Sequence, residues 1–191
     1  MAENKIQLTK ADRKKVCFRH QFLQGSWNYE RMQNGGWCYS MIPAIKKLYT
    51  SKDDQIAALK RHLEFYNTHP YVSAPVIGVT LALEEERANG APIDDVAIQG
   101  VKVGMMGPLA GVGDSLLMTM IPTIMGSIAA YMAIEGNPVG AGIWFALILA
   151  IFWVRMHALE FGYKQGVKLV TDFSEKLPNL TAAASVLGLT V

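Results

Sequence analysis

Apolar residues follow two regimes along the chain, and the change comes near residue 115. Residues 115–134, SLLMTMIPTIMGSIAAYMAI, are twenty positions without a formal charge, and residues 136–154, GNPVGAGIWFALILAIFWV, are nineteen more. A helix rises about 1.5 Å per residue, so each segment can cross a hydrocarbon core of roughly 30 Å. Two successive helices apolar on every side are rare in a soluble core. The pattern predicts a transmembrane helical hairpin over 115–154.

The first half mixes polar and apolar positions. Thr9-Lys10-Ala11-Asp12 has capping-box spacing for a helix start. Behind it Arg13, Lys14, Lys15 and Arg19 interleave with Val16, Phe18, Phe22 and Leu23. This suits an amphipathic helix at an anionic membrane surface, with a soluble surface helix as the alternative. Ser51-Lys52-Asp53-Asp54 marks a second start, followed by Ile56, Leu59, Leu63 and Tyr66 as an apolar stripe. Pro70 disfavours helical geometry at His69, which predicts a helix end near Asn67 or Thr68. Residues 71–83, YVSAPVIGVTLAL, are uncharged but too few to span, and predict a re-entrant or half-crossing segment. Residues 84–92, EEERANGAP, predict a solvated turn.

Residues 103–113, VGMMGPLAGVG, are apolar, glycine-rich and interrupted by a proline. They predict one arm of a re-entrant hairpin, with Asp114 near its junction, because irregular backbone at membrane depth needs protein or a water-filled cavity beside it. The expected fold class is mainly α and integral to a membrane: amphipathic N-terminal helices, re-entrant hairpin segments and about two full transmembrane helices. Four regions result: an interfacial part over 1–50, a helix with re-entrant segments over 51–114, the spanning hairpin over 115–154, and a segment over 155–191 leading into an apolar stretch at 182–191.

Composition agrees with a membrane setting. Of 191 residues, 18% are charged, below the usual quarter or so, and 51% are hydrophobic. A net charge of +2 without a long basic block gives no argument for nucleic acid. The first fifteen residues have no apolar core, which predicts no cleavable signal. The turn at 135–138 has no Lys or Arg, whereas Arg155, Lys164 and Lys168 follow the second span. The positive-inside rule then places Arg155 and the N-terminus in the cytoplasm. Cys17 and Cys38, the only cysteines, form neither a metal spacing nor a disulfide framework.

The candidate chemistry is polar and aromatic. Residues 22–44 set Trp27, Tyr29, Trp37 and Tyr39 among Gln24, Asn28, Glu30, Arg31, Gln33 and Asn34. Such a mixture can hold a sugar or mark a water–lipid boundary. GPLAGVGDS, residues 107–115, lacks the lysine of a phosphate loop and the strand of a dinucleotide fold. Gly107 and Gly111 instead allow close helix packing. Asp114 beside an uncharged run is a candidate functional residue, an interfacial helix cap being the simpler role. His69, with Glu64 and Asn67 nearby, could line a hydrophilic pocket or only dress a helix end. HLEFYNTH is not a zinc-hydrolase motif, and no nucleophile arrangement emerges, so neither a metal site nor catalytic residues are expected.

Three blocks carry a resemblance: FLQGSWNYERMQNGGWCYSMIPAIKKLY, LKRHLEFYNTHPYVSAPVIGVTLALEEE and IQGVKVGMMGPLAGVGDSL. The sequence resembles, from about Leu8 to its end, the IID subunit of the mannose-family phosphoenolpyruvate-dependent sugar phosphotransferase system. The resemblance implies a multi-pass protein of the bacterial inner membrane, paired with a IIC subunit, such C–D pairs forming trimers. It implies hexose uptake coupled to phosphorylation by IIA and IIB, with no phosphorylated residue, catalytic group or cofactor in this chain. It would place Gln24, Trp27, Asn28, Tyr29 and Glu30, then Asn67, His69 and Asp114, at the sugar path or the subunit interface. Family members continue well past the point where this sequence stops. A structural or regulatory membrane partner without transport activity is the alternative class.

Overall fold

The computed structural model describes residues 5–166. They form α1 (Lys10–His20), α2 (Asn34–Leu48), α3 (Lys52–His62), α4 (Ala74–Ala88), α5 (Asp95–Val112), α6 (Ile121–Ile134) and α7 (Val139–Gln165), with a π-helical stretch, Gly113–Met120, joining α5 to α6. Among the described residues there is no strand, only two isolated bridges, Asn28 to Met32 and Met32 to Tyr66. Helices α1–α4 form a bundle, and the hairpin of α5–α6 against α7 leaves it.

Thr9 and Asp12 close the expected capping box at the start of α1, and Ser51 caps α3 through the Asp54 amide. Helix α4 is apolar nearly all round and correspondingly buried, from Ala74 to Leu81 without a break. Its main partner is the second half of α7. At their crossing, a Cβ on Gly78 would overlap the Leu159 carbonyl, and one on Gly162 would overlap that of Pro75. The two backbones touch without an intervening side chain, as small residues permit. Around this contact Arg13 grips Glu160 with two hydrogen bonds of 2.8 Å, and Tyr163 donates to Glu85 at 2.6 Å. The N-terminal segment is tied down as well, Leu8 N donating to Glu85 and Ile6 N to Asn89.

The hairpin extends past the expected 115–154 at both ends. Helical backbone runs from Asp95 to Ile134, and α7 covers Val139–Gln165. Gly136, at φ +75°, makes the intervening turn, which falls at 135–138 as expected. On α5 the buried positions Ile98, Lys102, Met105, Leu109 and Val112 follow one helical stripe against the bundle. Beyond Gly113 little is covered: Ile134, Phe145 and Trp153 are 86%, 63% and 63% exposed. Large apolar residues left open on both helices of a hairpin this long mark a surface made for lipid or another membrane helix.

Four expectations change. Residues 103–113 do not reverse direction; they stay helical, and the irregularity appears as the widened π-helical turns after them. Helix satisfies nearly all backbone groups of this stretch despite Pro108, whereas at Pro122 the missing N–H and the crowding of the carbonyl four residues back favour the wider turns ahead of it. Residues 71–83 lie mostly within α4, covered by the protein's own helices. Helix α3 ends at His62, not near Asn67, and its inward side carries Ala58, Arg61 and His62 while Ile56 and Leu63 are exposed. Finally, the predicted turn at 84–92 begins only after Ala88, and Glu84 is completely buried.

One buried network explains the last two. Glu84 accepts from Arg61 Nε at 2.7 Å, from Tyr49 at 2.7 Å, and lies 3.0 Å from His62 Nε2. The Trp37 indole N–H donates to His62 Nδ1 at 3.3 Å, leaving Nε2 as the protonated nitrogen that faces Glu84. Arg61 also reaches Asp95 at 2.9 Å. Burial alone would raise the Glu84 pKa, but hydrogen bonding from His62 and Arg61 and the charge of Arg61 overcome it and hold the carboxyl at about 2. Burial lowers His62 and, reinforced by Arg155, holds His20 at about 3, so both rings stay neutral.

Two outcomes are expected of the full chain in detergent. Gly162→Ala should destabilise it by about 3 kcal/mol, the upper range for overpacking. Gly142→Ala, whose Cβ meets nothing within 4 Å, should be neutral or stabilising by about 0.5–1 kcal/mol. Thermal unfolding followed by circular dichroism checks both. All three depressed pKa values mean that the unfolded chain binds more protons in acid. Stability should therefore fall as pH drops below the ordinary histidine value of 6.5, and fall further from 4.5 toward 2 as Glu84 titrates. Glu84→Gln should be less stable at neutral pH, by about 3–5 kcal/mol, and its stability should fall less steeply below 4.5, with the share that His20 contributes remaining.

Candidate functional site

The polar residues singled out by the sequence lie where the bundle meets the hairpin, on two loops, 21–33 and 63–73, and the π-helical stretch. The loops are laced together. Gln33 Nε2 donates to the Thr68 carbonyl at 2.7 Å and its Oε1 accepts from Thr68 N at 3.1 Å, so one buried amide satisfies both polar groups of the facing backbone. Asn28 donates to Asn34 at 2.9 Å and accepts from Arg31 N at 2.8 Å, and Asn34 donates to the Leu63 carbonyl at 2.8 Å. Met32 sits at φ +56°, a strained backbone for a side chain of that type, held by bridges on either side. The Thr68 hydroxyl then donates to the Met106 carbonyl at 3.0 Å, fastening the pair of loops to α5.

On this base the first group of candidates separates by role. Gln24, Tyr29 and Glu30 are exposed, and Trp27 stands edge-to-face with Tyr29 at 4.8 Å, the two rings 43% and 87% exposed. Their flat faces and polar ends are open to a ligand or a partner. Asn28 differs, because its amide is already engaged within the loop. Beside them Phe22, Gly25, Ser26, Gly36 and Tyr39 line an open cleft of about 340 Å3.

The second group converges at the top of α5. His69 is buried and packs on Gly113, where any Cβ would overlap its ring. Asp114, the next residue, is exposed and close enough for its charge to oppose the lowering of the His69 pKa, which burial and Arg155 bring about. His69 Nδ1 accepts from Tyr71 N at 3.3 Å, which leaves Nε2 as the protonated nitrogen. Arg155 completes the cluster: it donates to the His20 carbonyl at 2.8 Å and lies over the Tyr71 ring at 5.1 Å, while His20 bonds Ser73 at 2.6 Å. Asn67 is exposed on the same loop, its backbone against Met106.

The structure thus joins Asn67, His69 and Asp114 in one neighbourhood, and connects it to Asn28 through Gln33 and Thr68. Gln24, Tyr29 and Glu30 stay on the outer surface. The sequence reading passed over Gln33, Thr68 and Arg155. Arg155 carried the signal that selected Asp114, an ionisable group at the end of an apolar run, and Gln33 stood within the same aromatic and amide stretch. The arrangement can present hydrogen-bond donors and acceptors beside open aromatic faces. Among the described residues it contains no converging set of metal-ligating side chains.

Comparison with known proteins bears on this arrangement. Residues 7–191 match the model of the PTS system mannose/fructose/sorbose family IID component. The chain is 47% identical over 188 residues to the mannose-specific EIID component of Escherichia coli K12, covering 97% of this chain and 66% of that protein. It is 48% identical to the sorbose-specific EIID component of Klebsiella pneumoniae over 97% of this chain and 68% of the relative. With the fructose permease IID component of Bacillus subtilis it shares 44% over 99% and 70%. Among solved structures it is similar to a chain of the mannose transporter ManYZ in complex with microcin E492, with a TM-score of 0.80 and 46% identity over 96% of this chain and 68% of that one. The chain therefore spans about two thirds of the length of the relatives it matches. Sequence and fold agree that it belongs to the mannose/fructose/sorbose family of phosphotransferase-system IID components, which are membrane permease subunits.

Proposed function

We propose that the chain works as the IID subunit of a mannose-type permease, forming with a IIC subunit the translocation unit for a hexose that IIA and IIB phosphorylate. Family membership along nearly the whole chain carries this reading. The fold adds physical support. The hairpin leaves large apolar surfaces open, and Gly100, Gly104, Gly107 and Gly111 of α5 meet nothing within 4 Å. Such a face accommodates a partner helix at close backbone distance. The chain holds no phosphoryl group of its own in this reading; its part is to complete the path. Trimers of C–D pairs, an inner-membrane location with several crossings and a cytoplasmic N-terminus belong to the same proposal.

Gln24, Trp27, Asn28, Tyr29, Glu30, Asn67, His69 and Asp114 would then line the path or the C–D interface. Exposed aromatic faces suit the apolar side of a sugar ring, and Asp114 suits its hydroxyls. Asn28 and His69 would act by holding their loops, since their polar atoms are engaged or buried.

The test is phosphoenolpyruvate-dependent phosphorylation of labelled mannose by membranes holding the cognate IIC, with soluble IIA and IIB, with and without the full-length protein. Sugar phosphate should form only when it is present; equal formation without it, at matched IIC, would sink the proposal. Asp114→Asn should slow phosphorylation by about tenfold or more, the scale of a lost charged hydrogen bond, without changing IIC recovery. For Trp27→Ala and Tyr29→Ala, a raised KM with IIC pairing intact assigns the rings to the sugar. Loss of co-purifying IIC assigns them to the interface.

A further inference from the structure

The geometry points to a binding site for the phosphate headgroup of an anionic phospholipid in the cleft between α1 and the end of α7. The cleft encloses about 570 Å3. Lys10, Arg13, Lys14 and Lys164 line it against one carboxylate, Glu160. That carboxylate is already held by two hydrogen bonds from Arg13, whereas Lys164 stays 4.0 Å away with its side chain 68% exposed. Four cations against one anion leave an uncompensated positive pocket, which is what a phosphodiester needs.

Its place in the fold selects a lipid over a soluble anion. The floor is apolar, made by Cys17, Met156 and Leu159. Within a turn along α7 toward the hairpin, Phe152, Trp153 and Val154 are exposed, so acyl chains leaving the cleft would meet apolar surface. Tryptophan at this level is typical of the membrane–water boundary. On the other side of α1, Phe18 and Phe22 are 64% and 53% exposed beside Lys15 and Arg19, the make-up of a helix lying in a headgroup layer. Basic pockets between membrane helices at this depth hold anionic headgroups. The site would fasten α1 to α7 by a bridge added to the Arg13–Glu160 pair. It depends on the membrane setting of the hairpin and not on sugar transport.

Native mass spectrometry of the full-length protein in detergent tests it. The protein should retain phosphatidylglycerol and release phosphatidylcholine. The triple variant Lys10→Gln, Lys14→Gln, Lys164→Gln should weaken phosphatidylglycerol retention by about tenfold or more. A control triple, Lys46→Gln, Lys52→Gln, Lys60→Gln, removes equal charge from exposed lysines elsewhere and should stay within about twofold of the parent. Inorganic phosphate should not displace the lipid. Equal loss in both triples, unchanged retention in the first, equal retention of phosphatidylcholine or displacement by phosphate would each overturn the assignment. Unchanged thermal unfolding of both triples without added lipid separates lost binding from lost folding.

Discussion

The crossing of α4 and α7 is the contact on which the remaining structure depends. Gly78 and Gly162 remove the side chains that would otherwise separate the helices, and the backbones meet. Neither helix could be held so closely by larger residues, because interiors have no slack for even one added carbon. Once Gly162 is fixed, helix geometry fixes everything one or two turns away. Arg155, Leu159, Glu160 and Tyr163 dock in sequence onto α1, α4 and the loop at Tyr71. The same contact sets how far α7 extends from the bundle, and hence where the apolar hairpin begins.

Within the apolar core of the bundle lies a buried polar network. Glu84 accepts from Arg61 and Tyr49 with His62 Nε2 3.0 Å away, and Lys102 lies wholly buried, its ammonium 5.5 Å from the Trp37 ring centre. A buried carboxylate without Arg61 would be costly, so the network tolerates few alternative packings. It gives a stiff base for the two loops that Gln33 and Thr68 clamp together. The widened helix at Gly113–Met120 then meets this base through His69. Rigid helices thus carry a polar and aromatic surface at the point where the apolar hairpin leaves the bundle.

Particular residues show how far the sequence could be read. The capping box at Thr9 and the one-way cap at Ser51 are local, and each helix starts where its spacing requires. The turn at Gly136 and the two apolar runs are local as well. The stripe Ile56, Leu59, Leu63, Tyr66 holds only in part. Leu59 and Tyr66 pack on the core, but Ile56 and Leu63 are exposed because the inward face of α3 carries Arg61 and His62, which face Glu84, twenty-three and twenty-two positions on. Hydrophobic periodicity has no way to register a buried charge whose partner is distant. Asn28 stood out as a polar residue among aromatic rings, but that its amide is engaged by Asn34 and Arg31 shows only in the fold.

By itself the sequence determined the helical class, the spanning hairpin and the neighbourhood rich in aromatic and amide groups. Those follow from short-range chemistry: backbone groups must be satisfied in hydrocarbon, and caps and turns act within a few residues. Tertiary structure alone decided that helical backbone continues from α5 through Asp114 without reversing, that α4 is enclosed, and that Glu84 is a core residue. It also decided which candidates share a place, joining His69 to Gly113 and Gln33 to Thr68. Each of those outcomes depends on two segments far apart in the chain meeting at contact distance, and no local pattern carries that information.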